Sequence, residues 1–190
     1  MRVIGLLGGM SWESTATYYR CINEAVSTRL GGLHSARIAM YSVDFASVER
    51  LQRQGEWDEA GALLARAAGR VERAGADVLV LCTNTMHRVA DQIAAAVSIP
   101  LLHIADAAAA AVTAAGCRTA GLLGTRFTMA EPFYRQRLER AGLEVLTPAA
   151  ADQEALDRII YDELCRGQLA EASRARYLRV IESLARQGAG

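Results

Sequence analysis

At 190 residues the chain has room for one sizeable domain or two small ones, with an ample core in either case. Its 21 basic and 21 acidic residues cancel, so nothing in the balance points to nucleic acid or a membrane surface as partner. No apolar stretch approaches the roughly 18 residues of a membrane span. Arg2 runs at once into a short strand and a glycine loop rather than a signal peptide, which makes the cytoplasm the expected compartment. The four cysteines, Cys21, Cys82, Cys117 and Cys165, lie far apart without a CxxC pair, so neither a zinc site nor a redox dithiol is expected.

In chain order, apolar runs bounded by glycines predict strands over 2–7, 37–43, 77–82, 100–103, 118–123 and 143–146. Helical patterns are predicted over 13–30, 57–74, 86–97, 105–115, 129–141, 152–166 and 170–187. Strand–helix alternation implies a parallel sheet with helices on both faces. Two tetrapeptides recur. Gly5-Leu6-Leu7-Gly8 returns as Gly121-Leu122-Leu123-Gly124, 116 residues on, and Arg73-Ala74-Gly75-Ala76 is echoed by Arg186-Gln187-Gly188-Ala189, 113 residues on. Such near-equal offsets suggest a duplication, with a first α/β subdomain over 1–100 and a second over 101–190. Since Arg73 leads into the strand that carries Cys82 and Thr83, Arg186 is expected to lead into an equivalent strand beyond Gly190.

The run Val78-Leu79-Val80-Leu81 stops in Cys82-Thr83-Asn84-Thr85-Met86-His87, a buried strand delivering a polar loop. In open α/β sheets ligands bind outside the carboxyl ends of strands, so this loop and the opening Gly8-Gly9-Met10-Ser11 loop are expected to share one pocket. The opening glycines are spaced GxxGG, not GxGxxG, and no GK[ST] follows, which argues against a dinucleotide or P-loop role. Gly8 and Gly9 would let backbone amides approach an anion, a carboxylate as well as a phosphate, with Ser11 placed to cap the next helix. Asn84 or Thr85 can act as plain helix caps, and His87 and His103 as caps or packed residues rather than bases. Asp44 suits a cap or turn, and Gln52 could recognise a substrate carboxylate or amine.

Taken together, Gly5–Thr15, Ser42-Val43-Asp44-Phe45, Gly55-Glu56-Trp57, Cys82–His87, His103-Ile104-Ala105-Asp106 and Leu122–Met129 resemble the aspartate/glutamate racemase family. The likeness is nearest to its bacterial L-aspartate/glutamate-specific or broad-specificity amino-acid racemases. The resemblance implies two similar Rossmann-like α/β subdomains with parallel sheets and the site in the cleft between them, usually in a homodimer. It also implies an isomerase that needs no pyridoxal phosphate, other cofactor or metal, and whose small-molecule partner is an amino-acid substrate. Two residues on opposite faces of the substrate would exchange its α-proton. Hydantoin racemisation, maleate isomerisation or amino-acid binding without turnover are the alternative readings.

By the same resemblance, Met10, Gln52, Thr83, Asn84 and Thr85 match substrate-contacting positions, with Thr125 a weaker match. Most members carry Cys-Asn-Thr where this chain has Thr83-Asn84-Thr85, so the matching puts Thr83 in the catalytic slot. Cys82 is the alternative acid/base, although strand alternation should aim it the other way. The family's second catalytic cysteine is expected just past Gly190 and is not among these residues. Relatives specific for aspartate often carry a lysine in the slot of Cys165.

Overall fold

Strand β1 (Ile4–Gly8) buries Leu6 and Leu7 completely on its two opposite faces, the mark of a central strand covered on both sides. The computed structural model describes every residue, Met1–Gly190, and resolves into two units, Met1–His103 and Ile104–Gly190.

In the first unit β1 is followed by α1 (Trp12–Leu30), β2 (Ile38–Ser42), α2 (Phe45–Gln54), α3 (Trp57–Arg73) and β3 (Val78–Leu81). A 3-10 turn (Thr85–Val89), α4 (Ala90–Ala94) and β4 (Leu101–Leu102) complete it. The sheet is wholly parallel in the order β2-β1-β3-β4. Helix α3 turns Ala60, Leu64, Ala67, Ala68 and Val71 inward at three- and four-residue spacing, and these close the core with Leu7, Leu79, Leu81, Met86 and Ile93.

The second unit holds α5 (Ile104–Ala114), β5 (Thr119–Gly121), α6 (Arg126–Ala130), α7 (Pro132–Arg140), β6 (Glu144–Leu146), α8 (Ala150–Asp162) and α9 (Glu171–Arg186). Strands β5 and β6 pair in parallel. One cluster of Ala105, Ala109, Leu122, Tyr134, Leu138 and Leu143 and another of Met129, Leu156, Val180 and Leu184 form its cores.

The internal repeat is legible in packing as well as in letters. A Cβ on Gly5 would strike Val71 and Ala76, and a Cβ on Gly121 would press on Leu184 and Ala189, each the residue that the repeat offsets make equivalent. Asp77 N–H donates to the Val3 carbonyl at 2.8 Å, and Gly190 N–H donates to the Thr119 carbonyl at 3.1 Å. The chain therefore runs up beside β5 as it does beside β1.

Three elements depart from expectation. The helix predicted over 86–97 is a 3-10 turn followed by the short α4. The one over 129–141 is split into α6 and α7, because Pro132 offers no N–H and holds Glu131 extended (φ −89°, ψ 153°). Helix α2 was not expected at all, and Asp44 is its cap, accepting from Ala46 N–H at 3.3 Å.

Candidate functional site

Within the first unit the order β2-β1-β3-β4 reverses direction between β1 and β3, and the crevice at the carboxyl ends of such a pair is where ligands bind in doubly wound sheets. The two loops singled out by sequence leave these two strands. Register pairs Leu7 with Leu81, and the contact continues as Cys82 N–H donates to the Leu7 carbonyl at 2.9 Å.

The opening loop is shaped by Gly9, whose φ of +93° lies in the region open to glycine and whose Cβ would collide with the Val43 backbone. Its N–H donates to Thr15 Oγ1 at 2.8 Å, and Thr15 Oγ1 donates to the Ser11 carbonyl at 3.0 Å. Ser11 precedes α1 but its side chain makes no capping bond, contrary to expectation. Its carbonyl instead receives the first-turn hydroxyls. Ser14 Oγ lies 2.8 Å from the Ser11 carbonyl and 3.0 Å from the Cys82 carbonyl, so one hydroxyl links both loops. Sequence reasoning passed over Ser14 and Thr15. The available signal was a pair of hydroxyl residues in the first helical turn after a double glycine.

In the second loop Thr83 N–H turns back to the Leu81 carbonyl at 2.9 Å, and the Thr83 carbonyl meets His87 Nδ1 at 2.7 Å. Asn84 stands before the 3-10 turn without a side-chain capping bond, so of the two expected caps Asn84 is not one. Thr83 keeps 8% of its surface accessible, while Cys82 keeps none. Burial pushes the Cys82 thiol up to about 12. It is therefore a neutral thiol packed behind the loop. Met10 and Thr85 are also buried, and Met10 joins the core that contains Met86.

Gln52 sits on the last turn of α2, 3% exposed, with Nε2 donating to Met86 Sδ at 2.9 Å beside Thr85. This ties α2 to the Thr83–Thr85 loop. Met10, Gln52, Thr83, Asn84 and Thr85 thus all belong to the first unit. Thr125 belongs to the second, where it caps α6 by accepting from Thr128 N–H at 3.4 Å. No group of three or more His, Cys, Asp or Glu side chains is arranged to hold a metal ion.

The first unit is thus an α/β fold with a parallel sheet and a polar loop on either side of its switch point. The Asp/Glu/Hydantoin racemase family model matches residues 7–190, and the chain belongs to that family. A candidate Asp/Glu racemase from Yersinia pestis is 56% identical with a TM-score of 0.89, the match covering all of this chain and 83% of that one. An aspartate racemase homologue from Pyrococcus horikoshii OT3 is 36% identical with a TM-score of 0.75, over 88% of this chain and 74% of that one. The broad specificity amino-acid racemase RacX of Bacillus subtilis (strain 168) is 26% identical over 147 residues, 76% of this chain. This chain spans 63% of the length of that curated relative. Two α/β units with parallel sheets, as the resemblance implied, are present, and the fold is that of the Yersinia pestis structure.

Proposed function

We propose that the protein is a cofactor-independent amino-acid racemase acting on aspartate, glutamate or a broader set of amino acids by transfer of the α-proton. The observation that carries this reading is the Thr83-Asn84-Thr85 loop at the β1/β3 switch point of a chain matched to the racemase family from residue 7 to residue 190. The amino-acid racemase of Bacillus subtilis among its relatives and the likeness to the Yersinia pestis protein support it.

The chemistry needs a group that can take and return a proton at Cα, and donors that stabilise the charge which develops on the substrate carboxylate. Thr83 is buried beside the exposed Asn84 but not sealed, and it is the hydroxyl the first unit offers at the matched position. Its hydroxyl is a poor base, which favours proton traffic in one direction and a partner base on the opposite face of the substrate. The hydroxyl of Thr85, the amides of Asn84 and Gln52 and the opening glycine loop supply polar contacts for the amino and carboxylate groups. Neither pyridoxal phosphate nor metal enters this scheme.

Cytoplasmic placement and a homodimer belong to the same proposal. No helix is long and apolar enough to cross a membrane. In α1 only Thr15 is buried, and Trp12, Tyr19 and Leu30 lie open, which supports a second copy covering this helix. Amino-acid binding without turnover is the second reading, favoured by the withdrawal of the Cys82 thiol from the loop surface. Deuterium uptake at Cα from solvent, started separately from each enantiomer of aspartate and glutamate, separates the two. Uptake supports the racemase, and binding without uptake overturns it.

A further inference from the structure

We propose that His87 is a positioning residue for the substrate loop, fixing the Thr83 peptide plane and with it the direction in which the Thr83 hydroxyl meets an amino acid. The inference rests on the reading of Thr83 as a substrate contact.

The dipeptide Cys82-Thr83 has four backbone polar groups, and each is engaged. Cys82 N–H donates to Leu7, the Cys82 carbonyl accepts from Ser14 Oγ, and Thr83 N–H folds back onto Leu81. The fourth, the Thr83 carbonyl, faces His87 Nδ1 at 2.7 Å. A carbonyl can only accept, so Nδ1 carries the proton, and in the neutral ring Nε2 carries the lone pair. The bond therefore selects one tautomer.

Two further features separate His87 from an ordinary packed histidine. Asn84 makes no side-chain capping bond, and the imidazole closes on the Thr83 carbonyl just ahead of the turn while the His87 N–H donates to the Asn84 carbonyl at 3.0 Å. The ring is also held from behind. His87 is 3% exposed and His103, 7% exposed at the end of β4, meets it edge-on with ring centroids 4.3 Å apart at 62°. Rotation of His87 away from the Thr83 carbonyl would have to displace a buried neighbour. A leucine at 87 would fill the space while leaving the carbonyl short of its donor. An asparagine carries its N–H at nearly the reach of Nδ1, whereas a glutamine carries it farther out.

The test compares His87→Leu, His87→Asn, His87→Gln and, as control, Thr83→Ala, by calorimetric titration with L-aspartate and L-glutamate and by thermal melting. The expected result is a loss of roughly tenfold or more in affinity for His87→Leu and His87→Gln, with His87→Asn within about threefold of the unsubstituted chain. Should His87→Leu fail to fold, the contrast between His87→Asn and His87→Gln carries the same test. Equal affinity in those two, or 15N imidazole spectra that put the neutral proton on Nε2, would overturn the proposal. Loss of binding in none of the histidine variants but in Thr83→Ala overturns the role of His87 alone. Absence of binding by the unsubstituted chain, or indifference to Thr83→Ala, overturns the functional reading beneath it.

Discussion

Ser14 Oγ stands 3.0 Å from the carbonyl of Cys82, a bond across 68 residues of sequence that joins the first turn of α1 to the end of β3. The side chain is half-buried and reaches the Ser11 carbonyl as well, so its single proton is shared between the two loops that flank the switch point. Ser14→Ala leaves the Cys82 carbonyl without that donor and is expected to cost about 0.5–1.5 kcal/mol of stability, the usual net worth of one hydrogen bond. Urea denaturation checks it. An unchanged midpoint would mean that solvent replaces the hydroxyl at no cost.

Cys82 is expected to be inert in the folded protein. A thiol pushed up to about 12 is almost wholly protonated at pH 8, and no surface of Cys82 is open to reagent. Iodoacetamide at pH 8 should modify the exposed Cys21 first and Cys82 only on unfolding. The linkage has a definite sign. Folding raises the pKa of an acid, so the unfolded chain gives up this proton first, and stability falls as pH rises from the ordinary thiol range near 8.5 toward about 12. The slope from this one group is at most about 1.4 kcal/mol per pH unit. Denaturation midpoints between pH 8 and pH 10 should flatten in Cys82→Ala relative to the parent chain. Parallel curves would contradict the burial argument.

The strands were legible because each is a short apolar run stopped by glycine or by a polar cluster, and all six predicted strands are present. Helix α2 was hidden by its composition. Phe45, Val48, Leu51 and Gln52 do repeat at helical spacing behind the Asp44 cap, but polar and charged residues fill most of the remaining positions and Gly55 ends the pattern within three turns. The Gly8–Ser11 and Thr83–Thr85 loops were legible from their place at strand ends, and both leave the two strands of the switch point, whereas Gln52 lies on α2 and Thr125 in the second unit. Ser14, Thr15 and the partner of the His87 ring were illegible for a different reason. Their role lies in bonds to carbonyls, and which carbonyl a hydroxyl or imidazole reaches depends on neighbouring strands meeting in register.

Gln52 and Thr85 are expected to matter to the ligand rather than to the fold alone. Both are buried at the loop, and the Gln52 amide spends a donor on the weak acceptor Met86 Sδ, which a substrate carboxylate would outcompete. Gln52→Ala or Thr85→Ala is therefore expected to weaken binding of L-aspartate or L-glutamate by about 1–3 kcal/mol. Calorimetry that found unchanged affinity in both variants would remove them from the site. Tight binding of NAD would reopen the nucleotide reading of the glycine loop.

The sharpest prediction concerns the adjacent pair Cys82 and Thr83, where reactivity and geometry disagree. A thiol is the better acid/base, with an ordinary pKa near 8.5, while a hydroxyl needs strong help to accept a proton. Geometry favours Thr83, which keeps a small accessible surface beside the exposed Asn84 while Cys82 keeps none. A group that cannot approach Cα within contact distance contributes nothing whatever its pKa. Deuterium incorporation at Cα, begun separately from the L- and D-enantiomers, is expected to survive largely intact in Cys82→Ala and to vanish in Thr83→Ala. Thr83→Cys is expected to widen the enzyme by placing a competent thiol on the substrate side, raising exchange from the enantiomer that the parent handles poorly. If Cys82→Ala instead abolishes exchange from both enantiomers while Thr83→Ala spares it, the buried thiol must come forward during turnover, and the assignment of Thr83 is wrong.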